Sequence, residues 1–213
     1  MTPWRVVRRS ITCSLVSPLL SVLLLLQASE ARAQFGAIGV KGGVNWTSLS
    51  GDPPSEGGSG FIGGLYASGH SGTTVAQFEI LFSKRSFTDP AGGPAGGPLG
   101  VSESFIQIPA LFGFRGGAGA LHAMLYAGPS FSIKTACNAD AGNVRVSCST
   151  AGIEDKGSLW SLVGGLAIDF QAGRTTIFFD GRYDNGLTNA FEDRDGKWRS
   201  WIFMMGFGYL MPT

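Results

Sequence analysis

Ser200-Trp201-Ile202-Phe203-Met204-Met205-Gly206-Phe207-Gly208-Tyr209-Leu210 is the stretch on which the fold turns. Trp201, Phe203, Met205, Phe207 and Tyr209 take every second position, and Ser200, Ile202, Met204, Gly206, Gly208 and Leu210 fill the others. Side chains along a strand point alternately to opposite faces, so this spacing predicts a strand with one large aromatic face and one smaller, mixed face. A strand that meets lipid outside and a crowded lumen inside has that form.

The neighbouring stretches repeat the pattern. In 175–185, Ile177, Phe179 and Tyr183 share a face, while Thr176, Phe178, Asp180, Arg182 and Asp184 share the other. Three charges on one face cannot point into hydrocarbon cheaply, so they face a polar lumen or water. In 121–134, Leu121, Ala123, Leu125, Ala127, Phe131 and Ile133 alternate with His122, Met124, Tyr126, Gly128, Ser130 and Ser132. Extended along the chain, the pattern predicts eight strands near 35–46, 60–70, 73–87, 101–114, 121–134, 158–170, 175–185 and 198–211. Short turns are expected at Ser71-Gly72, from Arg115 to Ala120 and from Gln171 to Arg174, with long loops at 47–59, 88–100, 135–157 and 186–197. Strict alternation of short and long connections predicts an all-β, eight-stranded antiparallel up-and-down transmembrane β-barrel, with both termini on the periplasmic side. Pro109 and Pro129 fall inside strands paired on both edges, where each removes a ladder donor, and a bulge is expected at each.

Composition supports this reading. All 33 glycines lie in residues 34–213, far above the usual roughly 7%. Such density is hostile to long helices and suits curved sheets. No stretch there approaches the roughly 18 apolar residues of a transmembrane helix, so a membrane-embedded form must be a closed barrel. Residues 34–213 carry 12 Lys and Arg against 14 Asp and Glu, a net charge of −2. That balance supplies no basic field for nucleic acid.

Residues 1–33 read as a secretory signal peptide. Arg5, Arg8 and Arg9 precede an apolar run from Ile11 to Leu26, and Ala31-Arg32-Ala33 offers a cleavage site before Gln34. A transmembrane anchor is the competing reading, but Ser14, Ser17 and Pro18 interrupt the run. Residues 34–213 then form one barrel domain.

With the strands placed, the chain resembles the PorT-like outer-membrane β-barrel family. The resemblance rests on Gly39-Val40-Lys41-Gly42-Gly43-Val44-Asn45-Trp46, Phe105-Ile106-Gln107-Ile108-Pro109-Ala110-Leu111 and Tyr126-Ala127-Gly128-Pro129-Ser130. The Asp180–Gly186 segment and the aromatic last strand complete it. The family usually has a glutamate where this chain has Gln107, and barrels often end on an aromatic residue where this one ends Leu210-Met211-Pro212-Thr213. The resemblance implies an eight-stranded barrel in the bacterial outer membrane, and no defined chemistry.

Residue chemistry gives four further expectations. Cys137 and Cys148, the two cysteines of residues 34–213, lie in one predicted loop and read as a disulfide staple in an exported chain. Lys41, Glu79, Gln107, His122, Asp169, Asp180, Arg182 and Asp184 are expected to face the lumen. Eight strands leave an interior that side chains can fill, so Lys41 and Arg182 should compensate carboxylates such as Glu79, Asp169 and Asp180 in a plug. A solvated channel lining is the alternative. Trp46 and Trp198 are expected in an external aromatic girdle, and Phe35, Phe114, Phe170 and Tyr209 in a periplasmic one.

Catalysis finds no convincing set of groups, since His70-Ser71 reads as turn chemistry. No cofactor or metal is predicted. Glu192, Asp193, Arg194 and Asp195 read as a solvated charge cluster before a cation site, and the Pro- and Gly-rich 88–100 stretch as a surface loop. The function expected is a non-enzymatic barrel contributing to envelope structure and presenting loops for an unidentified surface ligand. Its partners would be outer-membrane lipid, lipopolysaccharide and, during biogenesis, the barrel-assembly machinery. A soluble lipocalin-like barrel and a narrow pore are the competing readings.

Overall fold

The computed structural model describes residues 35–50, 56–89, 97–141, 144–151, 156–190 and 196–211. The predicted signal peptide and the acidic residues Glu192, Asp193 and Asp195 lie outside them. Among the described residues nine strands occur: β1 (Phe35–Ser50), β2 (Glu56–Ser71), β3 (Thr74–Asp89), β4 (Leu99–Ala118), β5 (Leu121–Ala141), β6 (Val144–Ser147), β7 (Ser158–Ala172), β8 (Thr175–Gly186) and β9 (Lys197–Leu210). Their order is β4-β3-β2-β1-β9-β8-β7-β5, closed by a β4–β5 pairing, and β6 is appended to β5. All pairings are antiparallel, so eight strands form a closed up-and-down barrel. Closure leaves no long unpaired edge, which is what a sheet needs in lipid.

One end of the barrel carries the start of the first strand, the end of the last and the tight turns (the turn end), and the other carries the long connections (the loop end). The three tight turns are Gly72-Thr73, Gly119-Ala120 and Gly173-Arg174. Each opens on a glycine in the left-handed region, with φ of 58°, 62° and 62°. Two-residue hairpins twist correctly only with positive φ there, and glycine adopts it without steric cost.

Several expected boundaries move. The strands run past the predicted loop edges, so that parts of 47–59, 88–100 and 135–157 are sheet. β5 continues to Ala141 and pairs with β6, which the sequence reading places inside a loop. Arg115, expected in a turn, lies within β4 because the hairpin tightens to two residues. Polar composition marks these ends as solvent-exposed, and an exposed hairpin extension has the same composition as a loop.

The expected bulges at Pro109 and Pro129 do not occur. Between β3 and β4, pairing lapses between Leu81↔Gln107 and Phe78↔Ala110 and resumes in the same register. Between β4 and β5 it lapses between Pro109↔Ser130 and Phe112↔Ala127, again unshifted. A residue's N–H faces one neighbouring strand, so a missing donor thins one ladder locally. A shift would move inward side chains outward, a larger cost. The irregularities lie instead between Phe35 and Ala37, Gly57 and Ile62, and Ser104 and Phe105.

The alternation predicted from β9 holds around the barrel. Val40, Leu65, Ile80, Ile108, Leu125, Leu166, Phe179 and Phe207 are exposed on the outer face. Inward positions hold four separate clusters. At the loop end Leu49, Phe87, Val101, Phe105, Cys148, Leu159, Ala190 and Trp198 pack together. Ile62, Leu81, Ile202 and Met204 form a second cluster. Val75, Leu111, Met124, Tyr126, Val163 and Ala167 form a third, and Ala37, Tyr66 and Phe178 a fourth.

Candidate lumenal site

Inward polar residues gather into distinct groups. The central one joins Lys41 on β1, Glu79 on β3, and Asp180 and Arg182 on β8, each with side-chain exposure of at most 1%. Lys41 Nζ donates to Glu79 Oε1, and to Asp180 Oδ2 at 3.1 Å. Arg182 donates to Glu79 Oε2 at 2.8 Å and to Asp180 Oδ2. Gln77 Nε2 donates to Glu79 at 2.5 Å, and the Tyr126 hydroxyl donates to Asp180. Arg182 lies 5.4 Å from the Tyr126 ring centroid, and Lys41 lies 5.6 Å from those of Tyr66 and Phe178. Buried charges need this density of partners, because each loses its hydration shell.

The strands that supply these groups matter. β3 and β8 are separated by β2, β1 and β9 in the sheet order. The Arg182–Glu79 contact therefore crosses the lumen instead of running along the wall. A second crossing contact, Arg85 Nη2 to Asp184 Oδ2 at 2.8 Å, joins the same two strands nearer the loop end. Arg85 lies 5.2 Å from the Phe105 ring centroid and 6.0 Å from that of Trp198. Lys134 Nζ donates to Glu103 Oε1 at 2.5 Å.

At the turn end, Arg115 pairs with Asp169 through two contacts of 3.2 and 2.5 Å, with His122 Nδ1 3.6 Å from the same carboxylate. Arg115 and Asp169 border a cavity of about 270 Å³, also lined by Tyr66, Met124, Phe178 and Leu210. His70 and Ser71 are the exposed last residues of β2.

The predicted lumenal residues are thus distributed among separate groups. Lys41, Glu79, Asp180 and Arg182 come together. Asp184 pairs with Arg85, and Asp169 with Arg115 instead of joining Lys41 and Arg182 as expected. Gln107 is buried. Arg85, Glu103, Lys134 and Arg115 were missed. The signal for the first three was available: they share a face with Glu79, Gln107 and Ser132, at even spacings along the same strands. Arg115 was lost because the glycines after it suggested an earlier turn.

The aromatic positions also divide. Trp46, Phe114, Phe170 and Tyr209 are exposed on the outer face, as girdle residues must be. The side chain of Phe35 lies outside the described residues. Trp198 is 2% exposed, points inward and packs against Phe87 at 5.4 Å, so it does not belong to the expected external girdle. Its parity with Ser200 and Ile202 requires this. Cys137 on β5 and Cys148, just past the end of β6, form a disulfide, with Cα atoms 5.4 Å apart.

Outside the lumen, Asp140 accepts from Arg145 Nε at 2.6 Å at the loop end. That hydrogen bond, against the opposing effect of desolvation, holds the Asp140 carboxyl below the usual carboxylate range. Among the described residues, no group of three or more His, Cys, Asp or Glu side chains gathers in a way that could hold a metal ion.

One solved structure agrees with the architecture. The crystal structure of neisserial surface protein A matches with a TM-score of 0.52 at 13% identity, covering 83% of this chain and 99% of that one. Ail, the attachment invasion locus protein of Yersinia pestis, solved with the heparin analogue sucrose octasulfate, matches with a TM-score of 0.45 at 16% identity. That match covers 83% of this chain and 99% of Ail. No curated protein sequence matches the chain. The family model described as the outer membrane protein beta-barrel domain matches residues 27–192. The chain belongs to that family of bacterial outer-membrane β-barrels.

Proposed function

We propose that the protein is a non-enzymatic outer-membrane barrel whose lumen is plugged by paired charges, and that it contributes to envelope structure and presents loop-end surfaces for interaction. The observation that carries this reading is the Arg182–Glu79 contact between strands on opposite sides of the barrel. Side chains that meet across an eight-stranded lumen leave no continuous aqueous path between them. The apolar cluster around Phe105 and Trp198 supports a second closure at the loop end.

In this reading the turn end and both termini are periplasmic, residues 1–33 are a cleaved leader, and the barrel belongs to the PorT-like branch named by its motifs. Outer-membrane phospholipid and lipopolysaccharide contact the apolar outer face, and the barrel-assembly machinery inserts the chain. That face also disfavours a soluble lipocalin-like barrel, which would expose it to water. A narrow pore remains the rival within the same fold.

Single-channel recording on the refolded mature chain in planar bilayers separates plug from pore. The plug predicts no steady open events at any moderate voltage. Reproducible open events of uniform size would overturn it and establish the pore.

A further inference from the structure

On the turn side of the Lys41–Glu79–Asp180–Arg182 cluster, the cavity of about 270 Å³ is a blind cup in the barrel mouth. Gln77 and Asp180 border its inner end, and His70 and Met211 its outer one. The paired charges of the plug leave it unfilled.

Two unlike walls face one another across the cup. Tyr66 on β2 and Phe178 on β8 form the first, with ring centroids 5.1 Å apart at 84°. Glycines on β9 make room for both rings. A Cβ at Gly208 would stand 2.1 Å from the Tyr66 hydroxyl oxygen, and one at Gly206 would stand 2.4 Å from Phe178 Cζ. Arg115 on β4, Met124 on β5 and Asp169 on β7 form the second wall, from three consecutive strands of the closed sheet.

The polar groups that border the cup are only partly used. Arg115 gives Nε and Nη2 to Asp169 at 3.2 and 2.5 Å, and its Nη1 has no hydrogen bond among the described residues. Each Asp169 oxygen takes one of those bonds and keeps a further lone pair. Gln77 gives its amide nitrogen to Glu79, which leaves its carbonyl oxygen to accept.

These features define an occupant. The volume lies just under the roughly 300–1,000 Å³ of pockets for drug-sized ligands, so a molecule of one ring fits. Asp169 and Asp180 would repel an anion, and the Arg115 guanidinium a cation, so the molecule is neutral. It must bring donors to Asp169 and Gln77 and an acceptor to Arg115, which hydroxyl groups do in either sense. It also needs an apolar face to cover Tyr66 and Phe178. A pyranose, with hydroxyls around its edge and C–H bonds on its face, has all four properties.

We propose that the turn-end cup is a binding site for a monosaccharide. The sugar's C–H face lies on Tyr66 and Phe178, and its hydroxyls engage Arg115, Asp169 and Gln77. The Arg115–Asp169 pair holds a donor and acceptors in place before the ligand arrives, which lowers the ordering cost of binding. The site rests on the barrel and its inward residues, and conductance tests the plug separately.

Titration of the refolded mature chain in lauryldimethylamine oxide, a detergent without a sugar head, tests the proposal. The probes are glucose, galactose and N-acetylglucosamine, and the Met124 methyl resonance reports occupancy. A ligand this small and polar binds at about 1 mM, so each titration runs to about 100 mM. The site predicts a saturable Met124 shift with at least one of the three sugars and none with benzoate. Arg115→Gln is expected to weaken the sugar about tenfold, because a charge-assisted hydrogen bond is lost. Ser68 borders the cup on β2, and Ser68→Leu is expected to abolish the shift while the folded gel band is kept. If Arg115→Gln does not fold, Ser68→Leu alone decides. No saturable shift with any of the three sugars overturns the proposal. A shift that survives both variants also overturns it, since the sugar then binds elsewhere. Saturation by benzoate in place of the sugars overturns the neutral, hydroxyl-bearing class.

Discussion

Arg182 reaches both Glu79 and Asp180, and all three are buried. Deleting its guanidinium leaves two buried carboxylates sharing Lys41. Removing one partner from a buried ion pair costs about 3–5 kcal/mol. Arg182→Ala is expected to lose that much unfolding free energy in denaturant titration. A loss below about 1 kcal/mol, typical of solvated pairs, would show that water reaches the cluster. The exposed Asp140–Arg145 pair behaves differently. The folded carboxyl is depressed, so its contribution is present above the unfolded value of about 3.9. It is lost as pH falls through the lower folded value. NMR titration of Asp140 should give a midpoint below that of free aspartate, and Arg145→Gln should restore the ordinary one. A midpoint indifferent to that variant would contradict the assignment. At this scale the sequence was partly legible: parity placed Glu79, Asp180 and Arg182 on inward faces correctly. Charge matching sets Lys41 and Arg182 against Glu79, Asp169 and Asp180, but Asp169 pairs with Arg115 instead, because partners far apart in sequence meet only through barrel closure.

Closure itself depends on β1 meeting β9, and here two adjacent glycines make a sharp comparison. Gly43 faces the lumen, where a Cβ would stand 1.9 Å from the Phe203 carbonyl oxygen on β9. Gly42 is exposed on the outer face, and a Cβ there would have the Ile62 carbonyl oxygen at 3.7 Å. Gly43→Ala is therefore expected to disrupt the closing ladder and lower the yield of folded barrel. Gly42→Ala should fold like the parent. Equal folding yields for the two, measured on unboiled gels, would show that the seam does not require this close approach. Strand identity was the most legible part of the sequence, because period-2 alternation survives even in glycine-rich β1. Strand ends were not. The β5–β6 hairpin is short, polar and held by Cys137–Cys148, and such a segment has the composition of any surface loop. The prolines misled for a related reason: the sequence shows a lost donor but not that the ladder can lapse and resume in register.

At the level of the whole molecule, a polar interior and an apolar exterior invert the arrangement of a water-soluble protein. The exposed row that includes Phe61, Phe78, Leu125, Leu166, Phe179 and Phe203 is too extensive to face water. The same chain buries Lys41, Glu79, Arg85, Glu103 and Arg182. One environment reconciles the two, a bilayer crossed by a closed sheet. The most direct test is fractionation of cells making the full-length chain, followed by gels of the outer-membrane fraction with and without boiling. The account predicts recovery in that fraction, with a folded band that shifts in mobility only after heating. Recovery as a soluble protein with no heat-dependent shift would contradict it.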